Sequence, residues 1–270
     1  MKKILLLSAI AALIVSSCSV VPISGRKQLN LVSDSDVLQS SLASYREYIS
    51  KATLSTQTVK CEQVTRVGRK IATATEAYLK ANGMSDQVSN FAWEFNLVRD
   101  SQLNAFCMPG GKIVVYEGIM NIISSDDELA VVIGHEVAHA VAKHSNERMS
   151  QQMALQYGAQ AVSILTAGTS QATQTIANQV FGLGANYGVM LPFSRKHETE
   201  ADNIGLVLMT MAGYNPDFAL TFWQKMSANG SNNKAEFLST HPSDASRISN
   251  IQKQLPQVKQ QYGSQRQLRY

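Results

Sequence analysis

The 270-residue sequence holds only three cysteines, and no apolar run in it reaches the ~20 residues that a membrane-spanning helix requires. No spanning helix is expected. Neither charge sign dominates: 24 Lys and Arg against 20 Asp and Glu leave a formal +4, and two of those positives, Lys2 and Lys3, fall in a segment expected to be removed. A remainder of about +2, small and dispersed, gives no nucleic-acid footprint. No internal repeat is evident, and 44% hydrophobic with 16% charged residues excludes a disordered or fibrous chain. The length suits one globular domain with a real core.

The basic start Met1-Lys2-Lys3 precedes a short apolar run from Ile4 to Val15, the layout of an export signal. The run ends in Val15-Ser16-Ser17-Cys18, which resembles a bacterial lipobox, so Cys18 is expected to be lipidated and to become the new N-terminus. Ser19, where Asp would retain the protein, implies sorting to a Gram-negative outer membrane. The expected organisation is a signal peptide over 1–17, a lipid-anchored linker over 18–33, a main domain over 34–258 and a polar tail over 259–270. Cys61 and Cys107 then remain as an even pair in a compartment where disulfides persist, and a bond between them is expected.

Residues 34–49 read as a helix. From Cys61, the spacing of Val64, Val67, Ile71 and Tyr78 marks a buried helix stripe ended by Gly83. Phe91, Trp93, Phe95 and Leu97 alternate with their neighbours as a strand, and Lys112–Tyr116, after Pro109-Gly110-Gly111, reads as a second strand pairing with it. A helix starting at Asp126 buries Leu129, Val132, Ile133, Val137 and Val141. The Ala-, Gly-, Ser-, Thr- and Gln-rich stretch 151–188 reads as helices with flexible joints, one apolar face of which would rest on lipid or cover the active site. Another helix runs from Arg195 to Ala212, stopped by Gly213, and Asn215-Pro216 opens the next, with Phe218, Phe222, Trp223 and Met226 as its core stripe. No pattern is clear beyond Pro256.

His135-Glu136-Val137-Ala138-His139 sets two imidazoles four residues apart on one helix face, about 5–6 Å apart at Cβ, the span that one metal ion bridges. Imidazole nitrogens suit zinc, and a catalytic zinc takes three protein ligands and leaves one position for water. Glu136 is placed to take that water's proton, as a base and not a ligand. The acidic candidates for a third ligand are Glu198, Glu200 and Asp202. On a helix Glu198 and Asp202 share a face while Glu200 points away, so one of the pair binds metal and the other supports a ligand histidine. A closed structural site is the weakest reading, because such sites take four ligands and favour cysteine.

With these residues in place, the sequence resembles the gluzincin metallopeptidases that include HtpX, the mitochondrial Oma-type protease, BepA and LoiP. The matching stretches are Gly25-Arg26-Lys27-Gln28-Leu29, Asn104-Ala105-Phe106 with Pro109-Gly110-Gly111, the 135–139 motif, Ser194-Arg195 through Glu198 to Ala201-Asp202, and His241-Pro242 with Arg247. The resemblance implies an α+β, predominantly helical fold, with a zincin-type core, a small antiparallel sheet and a zinc-binding active-site helix. It implies one Zn2+ per chain held by His135, His139 and Glu198, with Asp202 and Arg247 in support. It also implies that His241 either stabilises the oxyanion or occupies the open metal position as a latch. Asn104, Gly110 and Gly111 belong to a segment expected to offer an edge strand to a peptide substrate. His144 and Arg148 are read as continuing the zinc helix, with His144 off the ligand face in a salt-bridged or solvated role, and His197 as pointing away from the metal. Cys107-Met108 departs from the family's usual aliphatic residues. The expected activity is zinc endopeptidase cleavage of misfolded or stalled cell-envelope proteins; the alternative is a chaperone-like outer-membrane assembly factor with a latched zinc site.

Overall fold

The computed structural model describes residues 18–183, 191–229, 241 and 245–263. The expected signal segment lies outside them, and the side chain of Cys18 is not described. Within the segment expected to be a linker, β1 (Cys18–Val20) pairs antiparallel with β2 (Lys27–Leu29). Val21 at its turn joins the main hydrophobic core, and the backbone N–H of Leu31 donates to Ser150 Oγ at 2.8 Å. Burial of one valine and one hydrogen bond across 119 residues of sequence dock this hairpin on the domain.

Helix α1 (Asp34–Lys51) begins at Ser33, whose hydroxyl accepts from the N–H of Asp36. Helix α2 (Thr58–Ala81) buries Val64, Val67, Ile71 and Leu79, and Gly83 beyond it takes a left-handed φ of 73°. After the short α3 (Ser85–Val88) come β3 (Glu94–Val98), β4 (Ala105–Met108) and β5 (Lys112–Tyr116). The sheet order is β3-β5-β4, with β3 parallel to β5 and β4 antiparallel to it. The sheet is thus mixed, not purely antiparallel. The chain crosses from β3 to the far edge before the Pro109-Gly110-Gly111 turn brings β5 back between the two.

That turn is built on two adjacent glycines. Gly110 and Gly111 both take positive φ, and their carbonyls accept from the N–H groups of Ala92 and Glu94, so they shape the sheet. Asn104 likewise spends its carbonyl on the N–H of Tyr116. Cys61 and Cys107 are both free thiols. Each thiol is turned to a nearby backbone carbonyl, Cys61 Sγ 3.6 Å from the oxygen of Ser55 and Cys107 Sγ 3.5 Å from that of Met108.

The short α4 (Glu117–Met120) leads to α5 (Asp126–Val141), whose start is capped by Ser125 and three acids and whose body is almost wholly buried. α5 stops sooner than the sequence pattern implies. Lys143 takes a left-handed φ of 53°, and a separate helix, α6 (His144–Thr166), starts behind it, followed by α7 (Gln171–Leu183). Helix α8 (Leu191–Met211) lies against α5, and the two backbones touch at Gly134 and Gly205. A Cβ on Gly205 would stand 2.9 Å from the amide nitrogen of His135, so only glycine permits this approach. Helix α9 (Phe218–Asn229) buries Phe222, Trp223 and Met226. The last helix, α10 (Ala245–Tyr262), runs straight through Pro256, where no pattern was expected. Pro256 is exposed, while Ile251, Leu255 and Val258 pack into the core, so tertiary burial outweighs the ~3 kcal/mol that an interior proline costs. Residues 264–270 lie outside the described part. No helix among the described residues is long and apolar enough to cross a membrane.

Candidate metal centre

The Gly134–Gly205 crossing brings the acids of α8 over the histidines of α5. His135 Nε2 lies 3.1 Å from His139 Nε2 and 3.2 Å from Glu198 Oε2, and His139 Nε2 lies 3.4 Å from Glu198 Oε1. Donors held about 2.0–2.1 Å from a tetrahedral centre are separated by about 3.3–3.4 Å, so the two ring nitrogens and the Glu198 carboxylate, one oxygen near each ring, are spaced as the ligands of one zinc ion are. His241 joins them, its Nδ1 3.3 Å from His135 Nε2 and 3.0 Å from Glu198 Oε2. These four form the one cluster among the described residues whose ligand atoms converge as a metal site does. An imidazole nitrogen has no cause to face another nitrogen and a carboxylate at such distances unless a cation or a proton lies between them.

Backing the donors is a second layer of contacts. His135 Nδ1 donates to Asp202 Oδ1 at 3.0 Å, which turns the lone pair of Nε2 toward the site. Arg247 grips Asp202 with Nε at 2.8 Å and Nη2 at 2.6 Å, and its Nη1 lies 3.2 Å from Glu198 Oε2. The guanidinium sits 3.9 Å over the ring of Trp223, whose own ring meets His135 edge-on. Burial tends to lower the pKa of His135, but Asp202 and Glu198 outweigh it and raise the ring to about 9. Burial works against the charge of Glu198 and Asp202 too; their histidine and arginine partners prevail and hold both carboxyls below the ordinary range. His139 is pushed well down by burial, which Glu198 only partly opposes.

Glu136 points across the same cleft. Its Oε1 is buried without a hydrogen-bond partner and lies 3.6 Å from His241 Nε2. Burial raises its pKa, while His241, His135 and the backbone N–H of Cys107 pull the other way. That N–H belongs to the outer edge of β4, so the edge strand runs beside Glu136. The surrounding cleft is lined by His139, Arg148, Ser194, Glu198 and His241.

The structure brings His135, Glu136, His139, Glu198, Asp202, His241 and Arg247 together, and Cys107 approaches Glu136 through its backbone N–H. Asn104, Gly110 and Gly111 serve the sheet. His144 takes the salt-bridged role that its place off the ligand face implied, with Glu200 as its partner, while its contact with His139 and the part of Glu147 were not anticipated. His144 Nδ1 lies 2.8 Å from His139 Nδ1, and its Nε2 donates to Glu200 Oε2 at 3.0 Å. The spacing argument correctly aims Glu200 away from the metal, but toward this second ring. Arg26, in the matched Gly25-Arg26-Lys27-Gln28-Leu29 stretch, was the available signal.

Comparison with known proteins bears directly on this geometry. The model described as Peptidase family M48 matches residues 62–255. The mitochondrial metalloendopeptidase OMA1 of Schizosaccharomyces pombe is 38% identical over 243 residues, covering 88% of this chain and 66% of that protein. The human mitochondrial metalloendopeptidase OMA1 is 31% identical over 177 residues, 63% of this chain and 34% of its own length. The beta-barrel assembly-enhancing protease of Escherichia coli is 28% identical over 178 residues, 62% and 35% respectively. The chain spans between a third and two thirds of the length of these relatives.

Proposed function

The chain belongs to Peptidase family M48, and from that premise we propose that it is a zinc-dependent endopeptidase acting on misfolded or stalled proteins of a bacterial cell envelope. The observation that carries the chemistry is the trio of donor groups from His135, His139 and Glu198, spaced 3.1–3.4 Å apart beside the unpartnered Oε1 of Glu136. Bound by this trio, zinc supplies a Lewis acid for the peptide carbonyl and makes water a nucleophile near neutral pH. Glu136 receives the proton of the attacking water on its carboxylate and passes it to the departing amine. Asp202 and Arg247 keep His135 and Glu198 in register, and the outer edge of β4 offers backbone groups to an extended peptide beside Glu136.

The envelope assignment rests on the signal-like start, the lipobox-like Cys18 and the likeness to a beta-barrel assembly-enhancing protease. A lipid at Cys18 would place the domain on the periplasmic face of the outer membrane. Metal content by mass spectrometry with casein cleavage, for wild type and Glu136→Gln, tests the proposal. Zinc near one per chain with cleavage confined to wild type is expected; absence of zinc overturns it.

A second reading is favoured by one contact. His241 Nδ1, 3.0 Å from Glu198 and 3.3 Å from His135 Nε2, stands where a fourth donor would, which supports a latched enzyme serving mainly as an assembly factor. Rescue of a deletion strain by Glu136→Gln as well as by wild type would favour that reading, since a chaperone needs no general base.

A further inference from the structure

Next to the donor atoms, a second polar network is built from residues that sequence spacing marked as bystanders. The left-handed turn at Lys143 ends α5 and swings His144 back, so its buried ring meets His139 from behind, Nδ1 to Nδ1 at 2.8 Å. On its far side His144 Nε2 lies 3.0 Å from Glu200 Oε2. Glu200 also accepts from the Ser24 hydroxyl and from Arg26 Nε at 3.0 and 2.9 Å. Arg26 extends Nη1 and Nη2 to Glu147 at 2.9 and 2.7 Å. Glu147 accepts from His197 Nε2 at 2.9 Å, and the His197 ring stacks on His144 with centroids 4.2 Å apart and planes 15° apart.

Counting protons along this chain leaves one solution compatible with a metal. A carboxylate held by Arg26 and Ser24 only accepts, so His144 carries its proton on Nε2. The neutral ring then offers a lone pair at Nδ1. Two nitrogens 2.8 Å apart share one proton, so it must be on Nδ1 of His139, whose Nε2 is left with its lone pair toward Glu198 and His135. The reverse arrangement would put a proton on His139 Nε2, directly facing His135 Nε2 at 3.1 Å, and would abolish the donor.

We propose that His144 is a positioning residue for the zinc ligand His139, fixing its tautomer and orientation through a relay that runs from the N-terminal hairpin by way of Arg26 and Glu200. The proposal rests on the zinc reading of the site. It makes His144 the counterpart of Asp202: where His135 leans on a carboxylate directly, His139 reaches its carboxylate through a second imidazole. The hairpin around Ser24 and Arg26 thereby becomes part of the metal site's support.

Zinc affinity of the full chain, measured by competition with a chromophoric chelator, tests this in wild type, His144→Phe and His144→Asn. Phenylalanine keeps a flat ring against His197 but removes the acceptor, and zinc binding is expected to weaken about 10–100-fold, the usual cost of losing such a partner. Asparagine returns a carbonyl oxygen near the place of Nδ1 and is expected to recover most of that loss. Equal affinity in wild type and His144→Phe overturns the relay and leaves the zinc reading standing; equal weakening in both variants also overturns it, since restoring the acceptor would then count for nothing. A wild type that binds no zinc overturns both. Independently of any variant's folding, nitrogen-15 spectra of the five histidines in zinc-loaded wild type should show His139 protonated only at Nδ1 and His144 only at Nε2. A proton on Nδ1 of His144 overturns the proposal.

Discussion

The two histidines of the HExxH helix stand one turn apart, yet they are held by opposite strategies. His135 is almost fully buried, and one carboxylate, Asp202, backs it directly, with Arg247 and the Trp223 ring behind. His139 is more open, and its backing passes through His144 before it reaches Glu200 and Arg26. The first side is assembled from α5, α8, α9 and α10, the second from α5, α6, α8 and the N-terminal hairpin. A ligand deep in the core is oriented at short range; one near the rim is oriented by a chain of groups that fastens peripheral elements to it.

The largest effect expected belongs to the group that both sides serve. Glu136→Gln should lower casein cleavage by about 10²–10⁴-fold while zinc content stays near one per chain, because the amide cannot take a proton. Asp202→Ala breaks the buried side alone and should weaken zinc binding about 10–100-fold in chelator competition. A much smaller loss than in His144→Phe would reverse the ranking of the two sides. His241→Ala should change turnover by about tenfold, upward if the ring blocks the open position and downward if it steadies the oxyanion, with zinc retained. Unchanged turnover would remove both roles. The smallest effect concerns pH and isolates the rim side. Burial opposes the charge of Glu147, but His197 and Arg26 outweigh it and hold the carboxyl at about 2. Since that lies below the ordinary 4.5, the stabilisation is complete above about pH 4.5 and fades as pH falls toward 2. Glu147→Gln should flatten acid unfolding across that window, followed by circular dichroism; an unaltered profile would detach Glu147 from the network.

The same contrast governs what could be read in the sequence. Helical spacing places His135 with His139 and Glu198 with Asp202 on one face each, the family resemblance then picks Glu198 as the ligand, and α2 and α5 were legible because their apolar residues recur at helical spacing. The backing of His139 was not. It depends on a left-handed Lys143, which no side-chain rule marks, inside a run that otherwise favours helix. Nor did spacing reveal that Val21 enters the core and that a hairpin forms within the expected linker. The helix through Pro256 shows the complementary failure, in which local chemistry forbids what packing enforces. The expected disulfide rested on an even count and a compartment, neither of which carries information about where Cys61 and Cys107 point.

One more consequence lies in the Gly134–Gly205 contact. Between His139 and Glu198 the chain makes its long excursion through α6 and α7, returning only as α8 lays its backbone on that of α5. An ion held by both helices would act there as a clasp, closing a large loop at its neck much as a cross-link does and taking configurational freedom from the unfolded chain. Stripping the metal would then do more than silence the chemistry: it would loosen the seam between two distant stretches of sequence, first at the rim where His139 looks outward.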